Sequence, residues 1–346
     1  MMKVFLMSPP YLSDLETGKC SDWPVDSDIY WQLKHSLIDM GYEISEPAWE
    51  VRNGYLICGE ITNEKIIQSD FAVLELNLID CFFSQAINEA LKITTQKNIK
   101  SIAIVGDFCI HRSKNAIDSF INIISNKIDL LVPIYSEPEK ILEYYEIKAN
   151  AETRKRIFGV NSLPNLWQDG DNSNKDYFAS YIGSPKRTRT IFFSKLIDYW
   201  RNLPTLYVTG GRVGSKNNNM RGYDTFIKCM TASQYSINSC AIASFEDQKA
   251  KSLDIKALLP GRVGQSISAQ CIPIWLGPLW ATPEIILKGK TYLQYDINGE
   301  GDINQFLESL SNINIITEKT SYMYHEWERH YSPKSFWQPI INRLGL

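Results

Sequence analysis

The stretch LPGRVGQSISAQCIPIWLG, residues 259–277, contains a turn, a helix and a strand in immediate succession. Pro260-Gly261 predicts the turn, small residues at helical spacing predict a helix over 261–269, and the apolar run that follows predicts a buried strand over 270–277. Arg262 stands in the first turn of this helix. Because the backbone N–H groups at a helix N-terminus attract anions, we expect Arg262 to bind a diphosphate.

The same alternation of apolar strands and amphipathic helices extends along the chain in both directions. Strands that are apolar throughout and separated by helices indicate a parallel sheet covered on both faces. The strands are predicted at 3–9, 70–76, 100–108, 129–135, 177–185, 204–211, 235–244 and 270–277. The helices are predicted at 27–44 (with a stop signal at Gly41), 85–98, 115–127, 189–202, 224–231, 261–269 and 332–344.

The length of 346 residues and an interruption of the pattern predict two domains. The interruption is the polar segment 160–176, which is punctuated by proline and glycine and is typical of an interdomain linker. We therefore predict a first Rossmann-like α/β domain over 1–160 and a second over 161–331, with a cleft between them. In parallel sheets of this kind, ligands bind beyond the carboxyl ends of the strands.

Composition restricts the possible partners. With 36 Lys and Arg against 39 Asp and Glu, the net charge is −3, so a nucleic-acid substrate would need local basic patches. The seven cysteines are scattered without a CxxC pair, which favours reduced thiols in a cytoplasmic protein. No run of 18 apolar residues predicts a membrane span, and no heptad pattern predicts an obligate protein partner.

A second candidate anion site lies in YIGSPKRTRT, residues 181–190, where a basic turn separates a predicted strand from a predicted helix. Such a turn is either a solvated basic loop or a phosphate site. Together with Arg262 it could bind a diphosphate from two sides. The chain has neither a Walker loop nor GxGxxG, which argues against an ATPase or a dinucleotide oxidoreductase. The candidate donor-binding residues in the turn are Gly183, Ser184, Lys186 and Arg189.

In the first domain, acidic residues stand at the end of a predicted strand and at the start of a predicted helix. Asp107 follows Gly106 at the carboxyl end of a predicted strand, where it is either a general base or a loop acid. Asp26 and Asp28 lie at the entrance of the first helix, where they either hydrogen-bond sugar hydroxyls or cap the helix.

Aromatic and basic residues provide candidate contacts to nucleic acid. Phe82-Phe83 follows a predicted strand, and such a pair either belongs to the core or stacks with a base or fills the space left by one. Basic clusters at 112–114, 152–156 and 212–221 allow DNA binding if they share one face. The candidate DNA-binding residues are Phe82, Phe83, Arg112, Lys114, Arg212, Lys216 and Arg221.

The stretch 259–277 resembles the GR-x-x-E…C-I-P-I signature of the GT-B glycosyltransferases. More specifically, the chain resembles the T-even phage DNA β-glucosyltransferases, which move glucose from UDP-glucose to 5-hydroxymethylcytosine in duplex DNA. The likeness runs in order along nearly the whole chain. The stretches that carry it are SDIYWQLKHSLIDMGYEI, LN…FF, VGDFCIHRSK, YIGSPKRTR, LPGRVGQSISAQCIPIW and FWQPIINRL.

The resemblance implies a GT-B fold, with helix 332–346 packing back toward the first domain. It implies that Asp107 is the catalytic base of an inverting transfer, that the 183–189 turn binds phosphate, and that Arg262 is the second diphosphate ligand. Lys186 stands where the family has arginine, and Gln265 stands where the family has a glutamate that binds the donor ribose.

The resemblance also implies a UDP-sugar donor, with UDP-glucose first among them, and it allows a divalent ion, Mg²⁺ or Mn²⁺, that assists product release or neutralises charge. The implied acceptor is a hydroxymethylated base flipped out of duplex DNA, with Phe82 or Phe83 filling the vacated space. The implied location is the cytoplasm of an infected host cell.

Two other interpretations remain open on the sequence. The net charge of −3 favours a GT-B enzyme that acts on a surface glycan or a small molecule, because DNA binding depends on phosphate neutralisation. The chain is alternatively a non-catalytic protein that binds a nucleotide sugar or a nucleic acid.

Overall fold

The computed structural model describes residues 2–9, 28–52, 55–59, 61, 63–76, 84–106, 108–110, 113–169, 175–182, 192, 194–196, 198, 205–208, 223–239, 247–296 and 301–346. The chain forms two structural units. The first comprises Met1–Pro164 together with Pro333–Leu346, and the second comprises Asn165–Ser332. The boundary after Pro164 falls within the polar segment 160–176.

The strands and helices are numbered in chain order. The strands are β1 (Lys3–Met7), β2 (Glu43–Ser45), β3 (Trp49–Arg52), β4 (Tyr55–Cys58), β5 (Phe71–Glu75), β6 (Lys100–Val105), β7 (Leu130–Pro133), β8 (Tyr177–Ile182), β9 (Thr205–Val208), β10 (Ser233–Ser239), β11 (Ile272–Leu276) and β12 (Leu293–Tyr295). The helices are α1 (Asp28–Asp39), α2 (Asn63–Ile67), α3 (Ser84–Lys97), α4 (Lys114–Lys127), α5 (Pro138–Tyr145), α6 (Ala151–Lys155), α7 (Tyr223–Thr231), α8 (Gln248–Ser252), α9 (Gly261–Ser268), α10 (Glu284–Lys288), α11 (Ile303–Ser309), α12 (Ile313–Ser321), α13 (Met323–His330) and α14 (Pro333–Leu344).

The main sheet of the first unit has the strand order β2-β1-β5-β6-β7, and all its pairings are parallel. Strand β2 lies on one side of β1, and the later strands β5, β6 and β7 lie on the other side. The order therefore reverses between β1 and β5, and we call the carboxyl ends of these two strands the first switch point. In open α/β sheets the ligand crevice lies at such a reversal.

The core of the first unit forms because its strands are apolar on both faces. Val4, Leu6, Phe71 and Val73 are fully buried in one cluster with residues of α1 and α14. Trp337 of α14 is also fully buried, and its indole N–H donates to Ser36 Oγ of α1 over 2.8 Å. The C-terminal helix is thus part of the core of the first unit.

The sheet of the second unit repeats this topology with the order β12-β11-β10-β8-β9, again with parallel pairings only. Its order reverses between β8 and β10, whose carboxyl ends we call the second switch point. The buried core contains Ile274 and Trp275 of β11 together with residues of α9, α11 and α13. Tyr235 of β10 joins the sheet to the end of α11, because its hydroxyl donates to the Leu310 carbonyl oxygen over 2.6 Å.

The predicted fold class is confirmed, since both main sheets are parallel and helices alternate with strands. The predicted stop of the first helix is also correct. Helix α1 ends at Asp39, and Gly41 adopts the left-handed φ of 83° before β2 begins. No strand was predicted at β2, β3, β4 or β12, and no helix was predicted at α2, α5, α6, α8 or α10 to α13.

Candidate functional site

Helix α9 carries Arg262 and Gln265, the two candidate donor-binding residues that the structure describes. A helix that leads into a strand of a parallel sheet runs antiparallel to it, so the N-terminus of α9 lies at the edge where the strands have their carboxyl ends. Its N-cap residue is Pro260, which supplies no side-chain hydrogen bond to the helix. A Cβ atom built on Gly261 would meet no described atom within 4 Å. Arg262, which is partly exposed, therefore stands at an accessible helix N-terminus that favours an anion.

Gln265 lies one turn further into α9 and is only 1% exposed. Its Oε1 is buried and has no hydrogen-bond partner among the described residues. An unpartnered buried amide oxygen costs about 1–3 kcal/mol, and native proteins rarely retain one without a reason. This oxygen is available to accept a hydrogen bond from a ligand hydroxyl group, and the contact of Gln265 with the donor stays a prediction.

Two segments with predicted donor-binding or DNA-binding residues follow strands of the second unit. The turn with Gly183, Ser184, Lys186 and Arg189 begins directly after β8, which ends at Ile182 on one side of the second switch point. The loop with Arg212, Lys216 and Arg221 follows β9. All seven residues lie outside the described residues, so their roles stay predictions.

The structure adds two candidates that the sequence prediction missed, Asn238 of β10 and Trp275 of β11. They are register partners near the carboxyl ends of their strands, and they are 2% and 1% exposed. Asn238 Oδ1 and Trp275 Nε1 are buried, and neither has a partner among the described residues. An asparagine in an otherwise buried strand was the available sequence signal, but only the pairing with β11 places it beside the tryptophan.

The first switch point carries a buried polar pair that was also not predicted. Ser8 directly follows β1, and Glu75 is the last residue of β5. The two residues are 0% and 2% exposed. Ser8 Oγ donates to Glu75 Oε2 over 2.5 Å. The predicted base Asp107 follows Gly106 and the end of the adjacent strand β6, and it lies outside the described residues.

The N-termini of α1 and α4 lie at the same edge, because both helices connect strands of the parallel sheet. Asp28 is the first residue of α1, and Lys114 is the first residue of α4. Ser113 caps α4, where its side chain accepts from the Ala116 N–H over 3.2 Å. Lys114 is exposed and therefore accessible to an anionic partner. Asp26, Phe82, Phe83 and Arg112 lie outside the described residues.

The basic cluster at 152–156 does not belong to this edge. The Arg156 carbonyl oxygen accepts from the N–H of Leu131, the second residue of β7, so the cluster lies beside the amino-terminal half of that strand. Two of its cations are also neutralised, because Arg154 pairs with Glu139 and Arg156 pairs with Glu152, each over 2.5 Å. The cluster therefore lies at the amino-terminal edge of the first sheet, away from Lys114, and whether the three basic clusters share one face stays a prediction.

Two described cysteine thiols are not activated for nucleophilic attack. Burial raises the pKa of the Cys58 thiol to about 11 and that of Cys271 to about 12, so neither is a ready nucleophile. In the part of the chain that the structure describes, no group of three or more His, Cys, Asp or Glu side chains is arranged to hold a metal ion. The described helices include none that is long and apolar enough to cross a bilayer.

Solved structures of other proteins have a similar fold. An α-glucosyltransferase in complex with UDP and a 13-mer DNA with a central A:G mismatch matches with a TM-score of 0.61 over 100% of both chains, at 9% identity. The fold is that of the GT-B glycosyltransferases. The expected resemblance is confirmed at the level of fold.

Two further structures with this fold are similar. Anabaena HepE in complex with UDP-glucose matches over 100% of both chains, with a TM-score of 0.55 and 8% identity. TarM matches with a TM-score of 0.52 and 10% identity, over 85% of this chain and 60% of the TarM chain. No family model matches the sequence, and no curated protein matches it.

Proposed function

We propose that this protein is a glycosyltransferase that transfers glucose from UDP-glucose to the hydroxyl group of a hydroxymethylated pyrimidine in duplex DNA. The observation that carries the proposal is the full-length likeness of the fold to a glucosyltransferase bound to UDP and DNA. The N-terminus of α9, with its partly exposed Arg262 and the unpartnered Oε1 of Gln265, supports a nucleotide-sugar donor.

In the proposed reaction, Asp107 accepts the proton of the acceptor hydroxyl as its oxygen attacks the anomeric carbon. The bond between that carbon and the diphosphate oxygen breaks, and UDP leaves with the bonding electrons. Arg262, Lys186, Arg189 and the helix N-terminus stabilise the charge on the leaving diphosphate. Gln265 accepts a hydrogen bond from a donor hydroxyl.

The test incubates the protein with UDP-glucose and matched duplexes that contain cytosine, 5-hydroxymethylcytosine or 5-hydroxymethyluracil, and it weighs the strands by mass spectrometry. We expect one added hexose on a hydroxymethylated duplex only. Asp107→Asn should abolish transfer while UDP binding persists. Asp129→Asn is the matched control, because Asp129 bonds Ser101 at the opposite, amino-terminal edge of the same sheet. An equal loss in both variants would refute the role of Asp107.

The configuration of the new bond tests the mechanism separately from the acceptor. UDP-glucose carries an α linkage, so a β product indicates one displacement assisted by a base, as proposed for Asp107. An α product, as the name of the similar α-glucosyltransferase implies for that enzyme, would overturn the inverting mechanism and leave glucosyl transfer to DNA intact.

A GT-B enzyme with a glycan or small-molecule acceptor is the second candidate. The net charge of −3 favours it, as do the ion pairs that neutralise Arg154 and Arg156. Binding of a hydroxymethylated duplex that weakens steeply with salt supports DNA. Affinity that does not change with salt, together with no added hexose on any duplex, would favour the second candidate.

A further inference from the structure

We infer that Glu75 is a positioning residue of the acceptor side, acting through its hydrogen bond to Ser8 at the first switch point. The inference rests on the proposed function for its kinetic consequence. Its structural basis is independent of that function, because it comes from the topology of the first unit and from the burial of one polar pair.

The location of the pair is the first step. Ser8 and Glu75 stand at the carboxyl ends of β1 and β5, which are the two strands between which the order of the sheet reverses. Helices leave such a reversal toward opposite faces of the sheet, which opens a crevice above the strand ends. The Ser8–Glu75 bond joins the two strands at this reversal and links residues that are 67 positions apart in sequence.

The apolar surroundings of Ser8 and Glu75 indicate that this polar pair does more than stabilise the fold. Side chains alternate between the faces of a strand, so Glu75 continues the row of Phe71 and Val73, and Ser8 continues the row of Leu6. The preceding residues of both rows are fully buried and apolar. A buried polar or ionised pair is at best about as stable as apolar residues of the same size, and a leucine or valine would suit this row better.

The segments that leave the two strand ends give the pair a function. The chain continues from Ser8 toward Asp26 and Asp28, the predicted sugar-binding acids, and from Glu75 toward Phe82 and Phe83. The neighbouring strand β6 leads to Asp107. A short bond between a buried hydroxyl and a carboxylate therefore fixes the start of both acceptor-side segments beside the strand that carries the proposed base.

The experiment compares a graded series, Glu75→Gln and Glu75→Leu, together with Ser8→Ala and the double variant. Glutamine keeps an acceptor oxygen for Ser8, whereas leucine removes it and matches the apolar row. Ser101→Ala is the matched control, because Ser101 Oγ donates to Asp129 Oδ2 over 3.2 Å in the same sheet but at its amino-terminal edge.

For an active enzyme we expect Glu75→Leu to raise the acceptor KM about tenfold and leave the Kd for UDP unchanged, with Glu75→Gln between it and the wild type. Ser8→Ala added to Glu75→Leu should cause little further change, because both remove the same bond. Ser101→Ala should leave both constants at the wild-type value. If Glu75→Leu changes the melting temperature but not the acceptor KM, the positioning role is overturned.

Hydrogen exchange separates this result from a failure of the proposed function. If the wild type glycosylates no acceptor, the proposed function fails, and the pair is judged on amide exchange in peptides that cover residues 3–8 and 71–76. We then expect Glu75→Leu to accelerate exchange at the ends of both strands, whereas Ser101→Ala changes neither. Unchanged exchange at the end of β1 in Glu75→Leu would overturn the inference whether or not the enzyme is active.

Discussion

The replacement of Gln265 by methionine should stabilise the free protein and weaken its binding to UDP. Methionine has nearly the same length and shape as glutamine but no amide. In the free protein the Gln265 side chain is 1% exposed and its Oε1 has no partner among the described residues, so the substitution removes a desolvation cost. Replacement of an unpartnered buried polar group by an apolar one of similar shape should contribute about 1 kcal/mol, the lower end of the desolvation penalty.

The two effects have opposite signs, and both are measurable. A gain of about 1 kcal/mol raises the melting temperature of a unit of this size by about 2–4 °C in a thermal unfolding scan without ligand. Loss of one hydrogen bond to the donor, also worth about 1 kcal/mol, weakens the Kd for UDP about fivefold in isothermal calorimetry. The stabilisation that UDP confers on the protein should fall accordingly.

Gln270→Met provides the control, since it is the same substitution two residues after the end of the same helix. The Gln270 amide N–H donates to the Gln168 carbonyl oxygen over 2.9 Å, so this variant loses a bond that the free protein makes. It should melt at a lower temperature and bind UDP normally. A lower melting temperature for Gln265→Met, with unchanged UDP affinity, would show that Gln265 is an ordinary core residue.

Three further predictions concern other parts of the chain. Arg262→Ala should weaken UDP binding at least tenfold in calorimetry, with Arg262→Lys intermediate, because a bond to a charged phosphate is worth about 1.5–3 kcal/mol; unchanged affinity would remove Arg262 from the donor site. Trp337→Ala should lower the free energy of unfolding by about 3–5 kcal/mol in urea titration, because the side chain is fully buried and bonds Ser36; a cost under about 1 kcal/mol would contradict this docking of α14. Burial raises the pKa of Glu326 above its ordinary 4.5, against the opposing effect of the Lys290 N–H. The folded protein therefore holds this proton more tightly than the unfolded chain, and the carboxyl group lowers stability as pH rises from 4.5 through the raised pKa. Glu326→Gln should thus raise the melting temperature at neutral pH and have less effect at pH values below 4.5, and a pH-independent difference would refute this sign.

Local sequence patterns predicted the repeating elements well. The apolar runs of β1, β5, β6 and β11 are buried strands, and the Pro-Gly turn before Arg262 begins α9. These features depend on periodicity, turn residues and side-chain size within a few positions, so the chain displays them directly. The ends of elements were less predictable. After helix α9, Gln270 adopts a left-handed φ of 56°, which is incompatible with a strand. Strand β11 therefore begins at Ile272 rather than at residue 270.

The candidate site was likewise predictable only in part. Arg262 was predictable, because a cation beside a helix-starting turn is visible in the sequence, and the resemblance supplied Gln265. The unpartnered state of the Gln265 amide was not predictable, because it depends on which elements pack around α9. Asn238 and Trp275 became candidates only when the pairing of β10 with β11 put them side by side.

The sequence by itself therefore determined the α/β class, the positions of the main strands and the helix that presents Arg262, since each follows from interactions between residues close in the chain. Only the tertiary structure decided the order of the strands, and with it the two switch points. It alone joined Ser8 to Glu75 across 67 positions and brought Trp337 against Ser36 across 301. The physical reason is that strand order and buried hydrogen bonds arise from packing between distant segments, which no local spacing encodes.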